Sequence, residues 1–216
     1  MNTLAEENYL KSIYHLALSA ESVSTNQLAA LLNTKASSVT DMLKKLADKK
    51  LINYVPYQGV SLTLAGEKIA INIIRKHRLW EYFLVEKLDF KWDQVHEMAE
   101  EMEHISSNEL IDRLDKFMNF PKYDPHGDPI PDCNGQLNTH NLQPLSAVLI
   151  NGSGIICGVR NHSPAFLQYL EQHALTIGKK IEVANIIEFD HSMVLLMEGK
   201  KIQISRDVAN NLLITL

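Results

Sequence analysis

The spacing of apolar positions changes period several times along the chain. Glu6 to Leu18 places Tyr9, Leu10, Ile13, Tyr14, Leu16 and Ala17 on one face of a helix. Ser24-Thr25 predicts the cap of a second, short helix over Asn26–Leu32, and a third runs from Ser37 to about Lys49. The pattern then shortens to that of strands. Leu51–Val55 and Val60–Leu64 flank the turn residues Pro56-Tyr57-Gln58-Gly59, which predicts a hairpin. Three helices followed by a hairpin is the order of a winged helix-turn-helix.

From Ala65 a long helical pattern runs to about Leu88, and another spans Trp92 to Ile105. Ser106-x-x-Glu109 reads as a capping box opening a helix over Ser107–Phe117. Prolines at alternate positions in Tyr123-Asp124-Pro125-His126-Gly127-Asp128-Pro129-Ile130-Pro131 exclude regular structure there, leaving an ordered loop and then a tether to about Gln143. Beyond it come strand-like runs at Ser146–Ile150, Gly154–Val159, Lys180–Ile187, Met193–Met197 and Lys201–Ser205, with one helix over Pro164–His173. Short strands closing on themselves predict a small SH3-like β-barrel. The fold class is therefore multi-domain, mainly α with β: a winged helix-turn-helix over 1–73, a helical domain over 74–143 and an SH3-like barrel over 144–216.

A length of 216 residues, 45% hydrophobic and 22% charged, suits a folded chain of two or three domains. Two cysteines, Cys133 and Cys157, rule out a disulfide framework and a Cys-x-x-Cys clamp. With neither a signal-like N-terminus nor a membrane-length apolar run, the expectation is a cytoplasmic protein with no membrane partner. The net charge of −5 looks unsuited to DNA until it is divided along the chain. Residues 1–75 hold eight Lys+Arg against six Asp+Glu, residues 76–145 seven against fourteen, and residues 146–216 six of each. The acidity sits in the middle, which separates a cation-binding segment from a DNA-contacting one.

In a helix-turn-helix the second helix enters the major groove and its first turns reach phosphates and base edges. That helix begins at Ala36. Val39, Leu43 and Leu46 pack inward, which leaves Lys35, Ser37, Ser38, Thr40, Asp41 and Lys44 for DNA, with Tyr57 and Gln58 at the hairpin tip. Asp41 costs affinity beside phosphates unless it accepts from a cytosine amine or supports another side chain.

His96, Glu100 and His104 recur at i, i+4, i+8 with Glu103 beside them, and His77 and Glu81 repeat the i, i+4 pairing on the preceding helix. Imidazole with carboxylate suits Mn²⁺, Fe²⁺ or Zn²⁺, and no thiolate stands among these donors. His96-Glu97 begins like the His-Glu-x-x-His of zinc proteases, but the fifth position is Glu100, which spoils the two-histidine clamp and excludes that enzyme reading.

Together these residues resemble the DtxR/MntR family of metal-dependent repressors. The resemblance is carried by Glu7–Tyr14, Ser37–Thr40, Leu62-Thr63-x-x-Gly66, His77-Arg78-Leu79-x-Glu81, Val95-His96, Glu103-His104 and His126–Pro131. The third segment of the chain, residues 144–216, resembles the SH3-like (FeoA-like) domain of the iron-sensing branch. What this implies is a homodimer that binds palindromic operators when loaded with Mn²⁺, or alternatively Fe²⁺ (with Zn²⁺ able to substitute in vitro), and that has no small-molecule substrate. His77, Glu81 and His96 match one family metal site; Glu100, Glu103 and His104 match the other, where the carboxylate at Glu100 points to manganese. Two positions depart from the family. Asn8 stands where a Met or Asp ligand is usual, leaving only its amide oxygen to coordinate, and Lys11 stands where manganese regulators carry Glu. His162 is the candidate ligand from the C-terminal domain. The alternative is a winged-helix dimer that binds DNA constitutively.

Overall fold

The computed structural model describes residues 2–18, 22–55, 58–138 and 141–215. Two compact units divide the chain. Unit 1 comprises Met1–His77, Glu100–Asp112 and Pro131–Gln136; unit 2 comprises Arg78–Ala99, Arg113–Ile130 and Leu137–Leu216.

Unit 1 begins with α1 (Leu4–Ala17), two residues earlier than the apolar spacing alone predicts. The reason is its cap: Thr3 accepts from the Glu6 amide while the Glu6 carboxylate accepts from the Thr3 amide, which satisfies two otherwise orphaned donors. Ser24 and Gln27 repeat this capping box for α2 (Thr25–Leu31). After a turn in which Asn33 takes a positive φ of 47°, α3 (Ala36–Asp48) buries Val39, Leu43 and Leu46. These join Tyr9, Leu10, Ile13 and Leu28 in one core, completed by the hairpin of β1 (Ile52–Val55) and β2 (Gly59–Leu62). The winged-helix order is present.

The helix α4 (Leu64–Leu88) follows. Gly66 in its first turn lies against the chain leaving α3: a Cβ there would stand 2.0 Å from the Leu51 carbonyl oxygen, so only glycine permits this approach. Next, α5 (Val95–Met102) ends three residues short of the expected Ile105, and Glu103 and His104 lie in the turn beyond it. The start of α6 (Asn108–Phe117) is one residue later than expected, and Ser107 accepts from the Leu110 amide there.

Unit 2 contains a six-stranded antiparallel sheet. Its strands are β3 (Gln143–Pro144), β4 (Ser153–Val159), β5 (Lys180–Ile186), β6 (Met193–Met197), β7 (Lys200–Ile204) and β8 (Leu212–Thr215), in the spatial order β3-β8-β4-β5-β6-β7. It buries Ile156, Val183, Leu195 and Ile214 under α7 (Pro164–Gln172), which contributes Leu167 and Leu170. Among the described residues no pairing joins β7 to β3, so the sheet is open where a closed barrel was expected. Both edges are poor for pairing: β3 has two residues, one a proline without an amide hydrogen, and β7 exposes Lys200 and Lys201.

The expected strand at Ser146–Ile150 is replaced by a 3₁₀ turn over Leu145–Ala147. Leu145 and Val148 are buried at a spacing of three while Leu149 is 79% exposed, a 3₁₀ period and not that of a strand. Three further elements escaped the sequence reading: β3, α8 (Arg206–Asn211), capped by Ser205 on the Val208 amide, and β8 itself. Among the described residues no helix is long and apolar enough to cross a membrane.

Candidate metal centre and nucleic-acid interface

On α3 the residues opposite the buried stripe are open to solvent. Lys35, Ser37, Ser38, Asp41 and Lys44 are exposed and Thr40 is half-buried, its hydroxyl donating back to the Ala36 carbonyl at 2.9 Å. Asp41 lies 3.9 Å from Lys44, so its charge faces a lysine and not only the solvent. A cleft of about 630 Å³ opens between this face, the start of α2 and the wing, lined by Ser24, Thr25, Thr40, Lys44, Tyr54 and Gly59. Gln58 is exposed at the wing, where its carbonyl accepts from the Ser22 hydroxyl; Tyr57 lies outside the described residues.

Within unit 1 a set of donors gathers on Glu103, whose side chain is fully buried. His77 Nδ1 is 2.7 Å from Glu103 Oε2, and Lys11 Nζ is 2.6 and 2.9 Å from the two carboxylate oxygens. Burial alone would push the Glu103 carboxyl up, but the His77 hydrogen bond and the Lys11 charge outweigh it and hold it below the usual range. His104 Nδ1 lies 2.7 Å from Glu7 Oε2 and its Nε2 3.6 Å from Glu103 Oε1. A carboxylate behind one ring nitrogen with the other nitrogen turned to a shared centre is how ligating histidines are oriented. Glu100 joins through Lys11, at 3.4 Å, with its side chain 52% exposed. Asn8, three residues before Lys11 on α1, has a buried amide oxygen with no hydrogen-bond partner.

The same helix reaches α3. Glu6, fully buried, receives Lys49 at 2.7 Å and Lys45 at 3.1 Å. Burial opposes ionisation here, yet Lys49, the Thr3 amide and Lys45 together bring its carboxyl down to about 2. So α1 touches the donor set through Glu7 and Lys11 and the recognition helix through Glu6.

Within unit 2, Glu81 stands between two histidines. Its Oε1 is 3.3 Å from His96 Nδ1 and its Oε2 is 3.6 Å from His126 Nδ1. Glu81, Asp124 and His126 are all buried and place ligand atoms within 4.8 Å of one another. His126 Nε2 is fixed on the Trp92 carbonyl at 2.9 Å, and its buried Nδ1 has no hydrogen-bond partner; 3.6 Å is ion-pair rather than hydrogen-bond range. Asp124 Oδ1 accepts from the His126 and Asp128 amides, which ties the loop into a tight turn and leaves Oδ2 facing Arg78 at 3.7 Å.

Burial, with the Asp128 and Glu81 carboxylates, pushes the Asp124 carboxyl up. For His126 burial works downward, but the carboxylates of Glu81 and Asp124 win and raise it to about 9. The Arg78 guanidinium, paired with Asp124 and Asp128, adds positive charge to the same cluster. His162 stacks on His126 with ring centroids 4.8 Å apart and lies 3.8 Å from Asp128; burial holds its ring below the usual range, and it is outside the donor group.

The donors foreseen from helical spacing are thus distributed differently. Because α5 stops at Met102, His104 leaves the helical face on which His96 and Glu100 keep their one-turn spacing; His96 pairs with Glu81, while His104 turns to Glu7 and Glu103. His77 and Glu81 do keep the expected one-turn separation on α4. Glu7, Asp124 and His126 were not foreseen as site residues. Glu7 gave no spacing signal, being remote in sequence from His104, whereas Asp-x-His in a proline-braced loop was a visible one.

The matches to known proteins cover most of the chain. Residues 1–60 match the model "Iron dependent repressor, N-terminal DNA binding domain", residues 63–132 "Iron dependent repressor, metal binding and dimerisation domain", and residues 143–216 "FeoA domain". An uncharacterized HTH-type transcriptional regulator of Methanocaldococcus jannaschii is 41% identical over 113 residues, 52% of this chain and 90% of that protein. The iron-dependent repressor IdeR of Mycobacterium leprae is 32% identical over 133 residues, 61% of this chain and 58% of its own length. A solved manganese-dependent transcriptional repressor in complex with manganese superposes with a TM-score of 0.87 at 31% identity, covering 97% of this chain and 98% of the other. On these matches, with the winged helix and the histidine–carboxylate clusters in place, the chain belongs to the DtxR/MntR family of metal-dependent transcriptional repressors, DNA-binding regulators and not enzymes.

Proposed function

We propose that this chain is a cytoplasmic, Mn²⁺-activated repressor of metal-uptake genes that binds a palindromic operator as a homodimer, its three parts being the winged helix (1–73), the dimerisation and metal-binding helices (74–143) and an SH3-like C-terminal domain (144–216). The single observation that carries the sensing is the convergence of Glu81, Asp124 and His126, three buried side chains whose ligand atoms lie within 4.8 Å of one another. Carboxylates and an imidazole buried together are costly without positive charge between them, and a divalent cation supplies it.

Glu81, Asp124 and His126 fit a divalent ion, as do Glu103, His104 and the amide oxygen of Asn8, with Glu100 at the solvent edge. His96, 3.3 Å from Glu81, joins the first group, and His77, 2.7 Å from Glu103, joins the second. All are oxygen or nitrogen donors, and neither Cys133 nor Cys157 belongs to a group of metal-donor residues among those described. Such donors favour Mn²⁺ over ions that prefer thiolate, with Fe²⁺ the alternative and Zn²⁺ able to bind in vitro. A bound divalent ion supplies the positive charge that neutralises the converging carboxylates. The residues do the rest: Glu7 orients His104, the Trp92 carbonyl orients His126, and α1 carries Glu6 against Lys45 and Lys49 of the recognition helix. Occupancy biases the arrangement of the paired recognition helices only as far as the ion binds one arrangement better than the other.

The reading is tested by mobility shift on a cognate operator with metal-free protein, with and without Mn²⁺. Tighter binding with Mn²⁺ is expected; equal binding in both would leave the constitutive dimer as the correct account. For the DNA face, Lys44→Ala is expected to weaken binding about equally across sequences and to lower the slope of log affinity against log salt by ~1, as for a phosphate contact. An unchanged salt slope would remove Lys44 from the interface.

A further inference from the structure

Lys11 occupies the place that a ligand set of this kind reserves for a metal ion. Its ammonium lies 2.6 and 2.9 Å from the two oxygens of Glu103 and 3.4 Å from Glu100 Oε1, and the side chain is only 14% exposed. Glu103 is fully buried, and its other neighbours are the imidazoles of His77 and His104. An imidazole that ligates a metal is neutral, so the permanent charge on this buried carboxylate comes from Lys11 in direct contact, with Lys76 acting on it through space. A lysine ammonium has three hydrogens to donate and no lone pair to offer, so it binds the carboxylates as a cation does and cannot itself be a ligand.

We infer that Lys11 is a resident cation of this site, which a divalent ion must displace from Glu103 and Glu100, so that metal loading is an exchange of one cation for another and not an addition. The inference rests on the assignment of Glu103 and His104 as ligands. Two consequences follow from charge alone. The Glu103 carboxylate is never left uncompensated, so the metal-free protein stays folded with its donors already gathered. The ion in turn binds more weakly than the same carboxylates and imidazoles would hold it without the ammonium, which sets the threshold of the sensor higher. A cavity of about 730 Å³ that reaches Glu7 and His104 gives an incoming ion access to the exchange.

Calorimetric titration of the full-length, metal-free chain with Mn²⁺ tests this, using Lys11→Gln, Lys11→Arg and Glu103→Gln, with melting curves taken with and without Mn²⁺. The binding phase removed by Glu103→Gln identifies the site. In that phase Lys11→Gln is expected to bind Mn²⁺ about tenfold tighter than wild type, within the usual range of coupling between two charges that share partners. Lys11→Arg, which keeps the charge, is expected to show no gain. Without metal the Gln variant should melt below wild type, and on adding Mn²⁺ its melting temperature should rise by more. Equal or weaker Mn²⁺ binding by Lys11→Gln, with the Glu103-dependent phase intact in wild type, overturns the exchange and spares the ligand assignment. If Glu103→Gln removes no phase at all, the ligand assignment fails and the exchange fails with it.

Discussion

Gly127→Ala is expected to destabilise unit 2 by ~3 kcal/mol or more, among the largest effects of any single methyl in this chain. Gly127 has a φ of +88°, where an L-residue is strained, and an added Cβ would stand 2.0 Å from the Cys157 carbonyl oxygen and 2.5 Å from Gly158 Cα. Both obstacles are backbone of β4, which cannot rotate aside. The loop is also pinned there by the His126 carbonyl, which accepts from the Val159 amide at 3.0 Å, so retreat from the clash would break that bond and displace His126 from Asp124 and Glu81. Gly178 supplies the control: its φ of +87° is equally unfavourable, but a Cβ there meets nothing within 4 Å. Gly178→Ala should therefore show the backbone cost alone, ~1 kcal/mol. Urea denaturation followed by a unit 2 probe such as Trp92 separates the two, and similar midpoints for both variants would show that the loop does not depend on close docking to β4.

That loop also marks where sequence reasoning ran out. Alternating prolines excluded helix and strand over 123–131 and so implied order without saying what was ordered. Only the fold reveals that Asp124 turns back on the amides of residues 126 and 128 and aims His126 inward. The winged helix was legible because its signals are local: Ser24 with Gln27, the Val39–Leu43–Leu46 stripe, and the hairpin around Gly59 each act over a few residues. The donor set around Glu103 was legible in kind but not in partnership. Helical spacing named Glu100, Glu103 and His104, yet assumed that α5 continued to Ile105, and it had no means of bringing Glu7 or Lys11 from α1 across about ninety residues of sequence. At the C-terminus the signal was present and missed: Ser205 before an acidic first turn is a helix start, and Leu212 and Ile214 alternate as a half-buried strand must.

Glu81→Gln is expected to remove metal binding from the buried cluster of unit 2 and with it most of the Mn²⁺-dependent gain in DNA affinity, a loss of at least ~100-fold in metal affinity, the upper end of what even supporting residues of metal sites cost when changed. The carboxylate is 2% exposed and serves two histidines at once, Oε1 toward His96 and Oε2 toward His126, so one substitution strips an anionic donor from both. Its effect on the metal-free fold should be far smaller than that of Gly127→Ala. Glu81 is one of the charges that push the Asp124 carboxyl up, so neutralising it relieves a buried carboxylate pair, at the expense of the ion pair that holds His126. These two terms oppose each other, so the metal-free variant should melt within a few degrees of wild type and gain less than wild type when Mn²⁺ is added, what gain remains coming from the donors around Glu103. Metal content per chain after dialysis, melting curves with and without Mn²⁺, and operator affinity distinguish the outcomes. A variant that keeps its metal content and its Mn²⁺ response would show that Glu81 holds the histidines in place without ligating. One that unfolds without metal would show that the carboxylate is structural first, and the sensing role would then pass to the donors around Glu103.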